Sequence, residues 1–232
     1  MTPFVGHLAA GAPPPPPPSG VEFEATVKTN TGLVSSAEIG LPSGLSGKLA
    51  VVLIRCGRAP VHYSTPTGWV KLIESSSTGR MALYYRVCDG TEGASITIAL
   101  TDDLDASQTG RVSALAWRVD GVATTEAAFI EAEQDTLTAD PPALTPSWGS
   151  AENAWLAVYS SRRSDWSVSN YPSNYGALDT VFNGSENDLA YVGVAVGERT
   201  LTASSENPGA FNINAPNGVN AERTFTVALR AA

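Results

Sequence analysis

Histidine is nearly absent from this chain: His7 and His62 are the two copies in 232 residues. Ser-His-Asp and Cys-His catalysis both need an imidazole oriented by a neighbour. His62 lies in Pro60-Val61-His62-Tyr63 with no local partner and reads as a loop histidine touching solvent. Cysteine is as scarce. Cys56 and Cys88 each fall near the end of an expected strand and read as small buried hydrophobes. A disulfide would need their Cα atoms within about 7 Å, which spacing does not fix. There is no His/Cys cluster with zinc spacing and no glycine-rich phosphate loop. Asp102-Asp103-Leu104-Asp105 lacks the glycine and terminal glutamate of a calcium loop, so it reads as a solvated acidic turn. No Glu falls in an alternating aromatic strand, where a glycosidase cleft would place one. The expectation is a protein without enzymatic activity, cofactor or metal.

Positive charge is also short. Fourteen Lys and Arg stand against 23 Asp and Glu, for a net charge of −9 and a pI near 4.7. Such a surface repels phosphate backbones, which argues against nucleic acid as a partner. It also disfavours anionic lipid. No apolar run approaches the length of a membrane span. Met1 to Leu8 lacks the basic start and long apolar core of a signal peptide. Work outside a cell would then require another route, such as assembly into a particle released by lysis.

What the chain does have is a 43% hydrophobic share with only 16% charged residues. Gly, Ser, Thr and Asn are abundant and the apolar runs are short, which favours an all-β protein with a packed core. The stretch Gly47–Glu74 organises the rest. Leu49-Ala50-Val51-Val52-Leu53-Ile54 is apolar on both faces and short, as a strand central in a sheet would be. A loop follows, and then the alternating segment Gly68 to Ile73. Val21 to Val27 alternates cleanly and reads as a half-exposed strand. Strands are expected at about 21–28, 48–56, 80–88, 94–100, 111–119, 153–160, 188–197 and 222–230. Ala123 to Gln134 is the one segment composed like a short helix.

The second half repeats the first. Trp155 to Tyr159 parallels Lys48 to Val52, and Tyr171 to Gly176 parallels Tyr63 to Gly68. Asp188 to Tyr191 parallels Arg80 to Leu83, Gly209 to Ile213 parallels Gly93 to Thr97, and Arg223 to Arg230 parallels Arg111 to Arg118. The order is kept at an offset of about 110 residues. Each half has too few clear strands for a comfortable two-sheet domain. One sandwich of two large antiparallel sheets over 21–232 is therefore expected, rather than two tandem sandwiches.

Residues 1–20 form a separate unit. Phe4, Val5 and Leu8, with His7 among them, make a small apolar cluster, followed by six prolines, Pro13 to Pro18. Six prolines make a stiff spacer of about 19 Å. A floppy tail needs no such spacer, so the segment reads as an anchor peptide held off the body.

The loops suggest a ligand. Trp166, Asn170, Tyr171, Asn174 and Tyr175 cluster in sequence, with Asn183, Glu186, Asn187 and Asp188 downstream. Flat aromatic faces beside amides suit sugar rings and protein interfaces alike. Trp69, ahead of alternating Val70 and Leu72, reads as core. Trp166, between Asp165 and Ser167, reads as exposed or at an interface.

Three motifs carry a resemblance: Thr65-Pro66-Thr67-Gly68-Trp69 after the first apolar strand, Leu83-Tyr84-Tyr85-Arg86-Val87 leading into Asp89-Gly90-Thr91-Glu92, and Phe225 to Arg230. Together they resemble β-sandwich modules in virion proteins of tailed bacteriophages and gene transfer agents, namely head spikes, head fibres and tail fibres. The likeness spans about residues 40–232. It implies a jelly-roll or concanavalin-like sandwich in a structural or adhesive protein on a virion surface, partnered by capsid or tail proteins. A three- or five-fold homo-oligomer is expected from the symmetry of such particles, with a host surface polysaccharide as the candidate ligand. The alternatives are a polysaccharide-active enzyme of concanavalin-like fold and a cement protein with no receptor. The second-half loop Tyr171 to Gly176 lacks the tryptophan of the first.

Overall fold

The structure, a computed structural model, describes residues 20–57, 62–75, 81–101, 110–136, 138–162, 166–183, 192–215, 218–219 and 221–232. The anchor residues Phe4, Val5, His7 and Leu8, the polyproline run and the acidic stretch 102–105 lie outside them. The described residues form an all-β protein of antiparallel sheets in two halves, with no helix.

The first half supplies β1 (Glu22–Val34), β2 (Ser36–Gly40), β3 (Leu49–Cys56), β4 (His62–Tyr63), β5 (Val70–Glu74), β6 (Met81–Val87), β7 (Ser95–Thr101) and β8 (Gly110–Asp120). The second supplies β9 (Ile130–Thr136), β10 (Ala151–Ser161), β11 (Ser167–Asn170), β12 (Gly176–Asn183), β13 (Val192–Ala203), β14 (Asn212–Asn214) and β15 (Arg223–Arg230). One five-stranded sheet runs β1-β8-β3-β6-β5 and the other, read from its far edge, β9-β15-β10-β13-β12. Each position in one has its counterpart in the other. The expected central strand, β3, is indeed central and buried along its whole length.

The two large sheets face each other across one core. Val51, Leu53, Leu115 and Trp117 from the first meet Leu156, Val158, Val196 and Val227 from the second. Each large sheet also buries its outer face. Ala50, Val52 and Ile54, the alternate residues of β3, pack under a three-stranded sheet, β2-β7-β4. Trp155, Ala157 and Tyr159, the alternate residues of β10, pack under the pair β11-β14. Period-two alternation with both faces covered is why β3 and β10 read as continuous apolar runs. The expectation of one two-sheet sandwich thus becomes four layers. The halves share their central core, and each has a further core of its own.

Two expectations are corrected here. Ala123 to Gln134 is not a helix; Ile130 to Thr136 is the edge strand β9, paired with β15. Ile130 is buried and Ala132 packs on the central core while Glu133 is exposed, so the period is two rather than 3.6. The repeat alignment also shifts at the loops. Pro66-Thr67-Gly68-Trp69 corresponds to Pro172-Ser173-Asn174-Tyr175, because the Trp69 and Tyr175 amides donate to the Pro66 and Pro172 carbonyls at 3.1 and 3.0 Å.

The facing sheets are tied along the edge where β1 meets β12. Lys28 Nζ lies 2.6 Å from Asp179 Oδ1, and the other Asp179 oxygen accepts from Trp117 Nε1 at 3.2 Å. Asn183 Nδ2 donates to the carbonyls of Thr31 and Val112. The body has distinct ends. Glu22, Leu49, Val87 and Asp120 lie at the end where the leader joins, since β1 opens at Glu22 opposite Asp120. Val34, Cys56 and Val112 lie at the distal end.

Candidate functional site

The residues expected to meet a glycan come together, but two of the three aromatics lie inside. Trp166 is 3% exposed and Tyr175 is 8% exposed. Trp166 stands edge-on to Tyr159 and Phe182, each with ring centroids 4.9 Å away. Phe211 lies against Tyr159 and Tyr171, both 5.7 Å away. This aromatic group fills the space between the second large sheet and β11-β14. The expectation that Trp166 is exposed is therefore corrected. Its polar neighbour Ser167 marks the opposite face of an alternating segment: Ser167 is exposed, and Val168 packs inward with Trp166. Trp69, read as core, is core at 6% exposure.

Tyr175 is tied by its hydroxyl, 3.3 Å from Glu206 Oε1, which also pairs with Arg199 at 2.8 Å. Burial and that carboxylate push the phenol far above its usual range. Asn170 and Asn174 are exposed, and Tyr171 is half-buried with its ring against Gly197. A Cβ on Gly197 would lie 3.0 Å from the Tyr171 ring. Of the residues expected to meet a glycan, two amides and one tyrosine edge thus face solvent. Asn183 belongs to the sheet-to-sheet tie, while Glu186, Asn187 and Asp188 lie outside the described residues.

His62 has a partner, contrary to expectation. It opens β4, half-buried, with Nδ1 3.3 Å from Glu74 Oε1. Lys71 Nζ holds the other Glu74 oxygen at 2.5 Å and donates to the Tyr63 carbonyl. The partner was invisible because β5 folds back to bring Glu74, twelve positions on in sequence, beside β4. Cys56 and Cys88 are both buried and are not disulfide-bonded. Burial pushes the Cys88 thiol up to about 12, so it stays protonated and unreactive at neutral pH. Among the described residues no three His, Cys, Asp or Glu side chains converge as metal ligands.

Sequence reasoning missed a groove of about 450 Å³ at the leader end. Leu41 to Ser46 form one wall, and Gly90, Glu92, Gly93 and Ala94 the other. Gly44 has φ of 72°, and a Cβ there would meet the Arg118 guanidinium at 2.7 Å. The Glu92 carboxylate accepts from the Asp89 and Gly90 amides and pairs with Arg86, which fixes the turn. The glycine spacing in both walls was a signal for tight backbone, but not for a groove.

No protein-family model, curated protein or solved structure matches this chain.

Proposed function

We propose that this protein is a non-catalytic surface module of a virion, a head spike or fibre component held to the particle by its N-terminal arm. The observation that carries the reading is the polarity of the body beneath that arm. The leader joins at Gly20, which a Cβ on Gly121 would strike at 2.0 Å, so the junction is pinned to the turn after β8. The strand ends at Val34, Cys56 and Val112 lie at the opposite end of the body. An apolar peptide on a stiff spacer that enters the body at one end suits a module that stands on a larger particle.

The fold supports the same reading in finer detail. In the first half β8 lies between β1 and β3, β6 follows, and β2-β7-β4 closes the other face. That order supports a jelly-roll reading, and β9-β15-β10-β13 repeats it. Each half is read as a jelly roll joined to the other through its larger sheet. The proposed partners are capsid or tail proteins and further copies in a three- or five-fold assembly. Any glycan contact in the second-half loops falls on Asn170, Tyr171 and Asn174.

Deleting residues 1–20 tests the reading. Among the described residues, every apolar member of the three cores lies at position 21 or beyond, so the truncated protein is expected to fold and to fail to enter particles. Sedimentation of lysate particles, followed by immunoblotting, measures incorporation. Normal incorporation of the truncated protein, or its absence from particles with the leader intact, overturns the proposal.

A further inference from the structure

At the distal end the central core stops on four buried side chains, Arg55, Ser113, Ser160 and Arg223. Arg55 pairs across β3 and β8 with Ser113, and Ser160 pairs across β10 and β15 with Arg223. The halves are reciprocal: the central strand carries the arginine in one and the serine in the other. Arg55 shares its face with Val51 and Leu53, and Arg223 with Phe225 and Val227, so both project between the sheets.

Neither serine brings a charge. Ser113 Oγ lies 3.3 Å from the Val192 carbonyl, and Ser160 Oγ donates to the Gly193 carbonyl at 2.8 Å. Glu222, beside Arg223, has Oε1 2.9 Å from the Tyr159 hydroxyl. Arg55 Nη2 donates to the Ala221 carbonyl at 2.6 Å. Among the described residues its Nε and Nη1 are buried with no hydrogen-bond partner. Burial pushes the Arg55 guanidinium down to about 9, and Arg223 acts on it in the same direction. At neutral pH it still carries its charge. A buried cation with unsatisfied donors is among the costliest features a core can hold. Arg223, whose Nη1 donates to the Glu222 carbonyl, places a second positive charge beside it.

We propose that this end of the sandwich binds a small oxoanion, phosphate or sulfate, seated on Nε and Nη1 of Arg55 with Arg223 supplying the second positive charge. Guanidinium donors in a dry site are the usual partners of such anions. Complete burial of Arg55 favours an ion small enough to be enclosed over a bulky ligand. The inference does not rest on the virion reading, and either can fail alone.

The test is thermal unfolding of the full chain in sulfate, phosphate or chloride at equal ionic strength, beside the variant Arg55→Met. Both oxoanions strengthen apolar burial in any protein, and the variant separates that effect from binding. The expected result is a saturable rise of a few degrees in the native protein that Arg55→Met loses. Replacing a buried charge with a hydrophobe of similar volume is often neutral for folding. Should the variant fail to fold, crystals of the native protein grown with selenate decide, through an anomalous peak within hydrogen-bond distance of Arg55. Equal shifts in both proteins, or no peak at that position, overturn the proposal. A sulfated disaccharide at the same sulfate concentration distinguishes the source of the anion. A response to free sulfate alone supports an enclosed ion; an equal response to both overturns enclosure and makes the ligand a glycan substituent.

Discussion

Tyr175 occupies in the second half the place that Trp69 occupies in the first. Both are buried, at 8% and 6% exposure, and each follows a proline by three residues. Both close the same turn onto a proline carbonyl. The residue before each is left-handed, Gly68 at φ 80° and Asn174 at φ 68°. Glycine and asparagine are the residues that tolerate this conformation.

That pair makes a first prediction. Gly68→Ala imposes left-handed strain and sets a Cβ 3.0 Å from Arg86 Nη1. It is expected to cost about 1–2 kcal/mol. Asn174→Gly removes strain and is expected to be neutral or slightly stabilising. Urea midpoints of the two variants check both signs, and equal effects would mean that the turns are not equivalent.

Trp166 makes the second. A glycan platform would lose ligand on truncation and keep its fold; a core residue loses the fold. Trp166→Ala is expected to destabilise by about 3–5 kcal/mol. Gly193→Ala attacks the same packing from below, since a Cβ would lie 2.4 Å from Phe182 and 2.7 Å from Trp166. It is expected to cost about 1–3 kcal/mol. Denaturant unfolding measures each, and a Trp166→Ala protein of native stability would return that ring to the surface.

Eight strands were legible in the sequence because their alternation is written in β-branched and aromatic residues. The short strands were not. β4, β11 and β14 are two to four residues long, below the length at which a period can be read. β9 was misread because Glu131 and Glu133, on its outward face, suit a helix as well as an edge strand. The buried arginine left one signal that could have been used. Arg55 closes the run Leu49–Cys56 on the inward parity of Leu53, where a charge has no business without a partner. The tie between sheets could not be foreseen, since Lys28 and Thr180 are brought together only when the halves stack.

Asp179 anchors that tie and makes the third prediction. Its carboxylate serves Lys28 and the indole of fully buried Trp117. Asp179→Ala leaves Trp117 Nε1 without an acceptor, at an expected cost of about 1–3 kcal/mol. Asp179→Asn keeps an acceptor and is expected to lose less, because exposed Lys28 contributes little as an ion pair. If the two variants lose the same stability, the indole bond is not what Asp179 supplies.

The fourth prediction concerns acid, where two carboxylates on the leader side pull in opposite directions. Asp89 accepts from the Thr91 hydroxyl and amide, which hold its carboxyl down at about 2. Its folded value lies below the unfolded value of about 3.9. Its contribution is therefore present above pH 3.9 and lost as pH falls towards 2. Glu198 shares the inter-sheet face of β13 with Val194 and Val196, and burial pushes its carboxyl up. The fold prefers it neutral, so its ionisation costs stability above the unfolded value of about 4.3. Glu198→Gln is expected to raise the melting temperature at pH 7, with the gain vanishing below about pH 4. Asp89→Asn is expected to lower it at pH 7 and to converge on the native protein near pH 2. Melting curves from pH 2 to 7 check both. A Glu198→Gln protein less stable than native at pH 7 would show that the carboxylate holds a bond worth more than its burial costs.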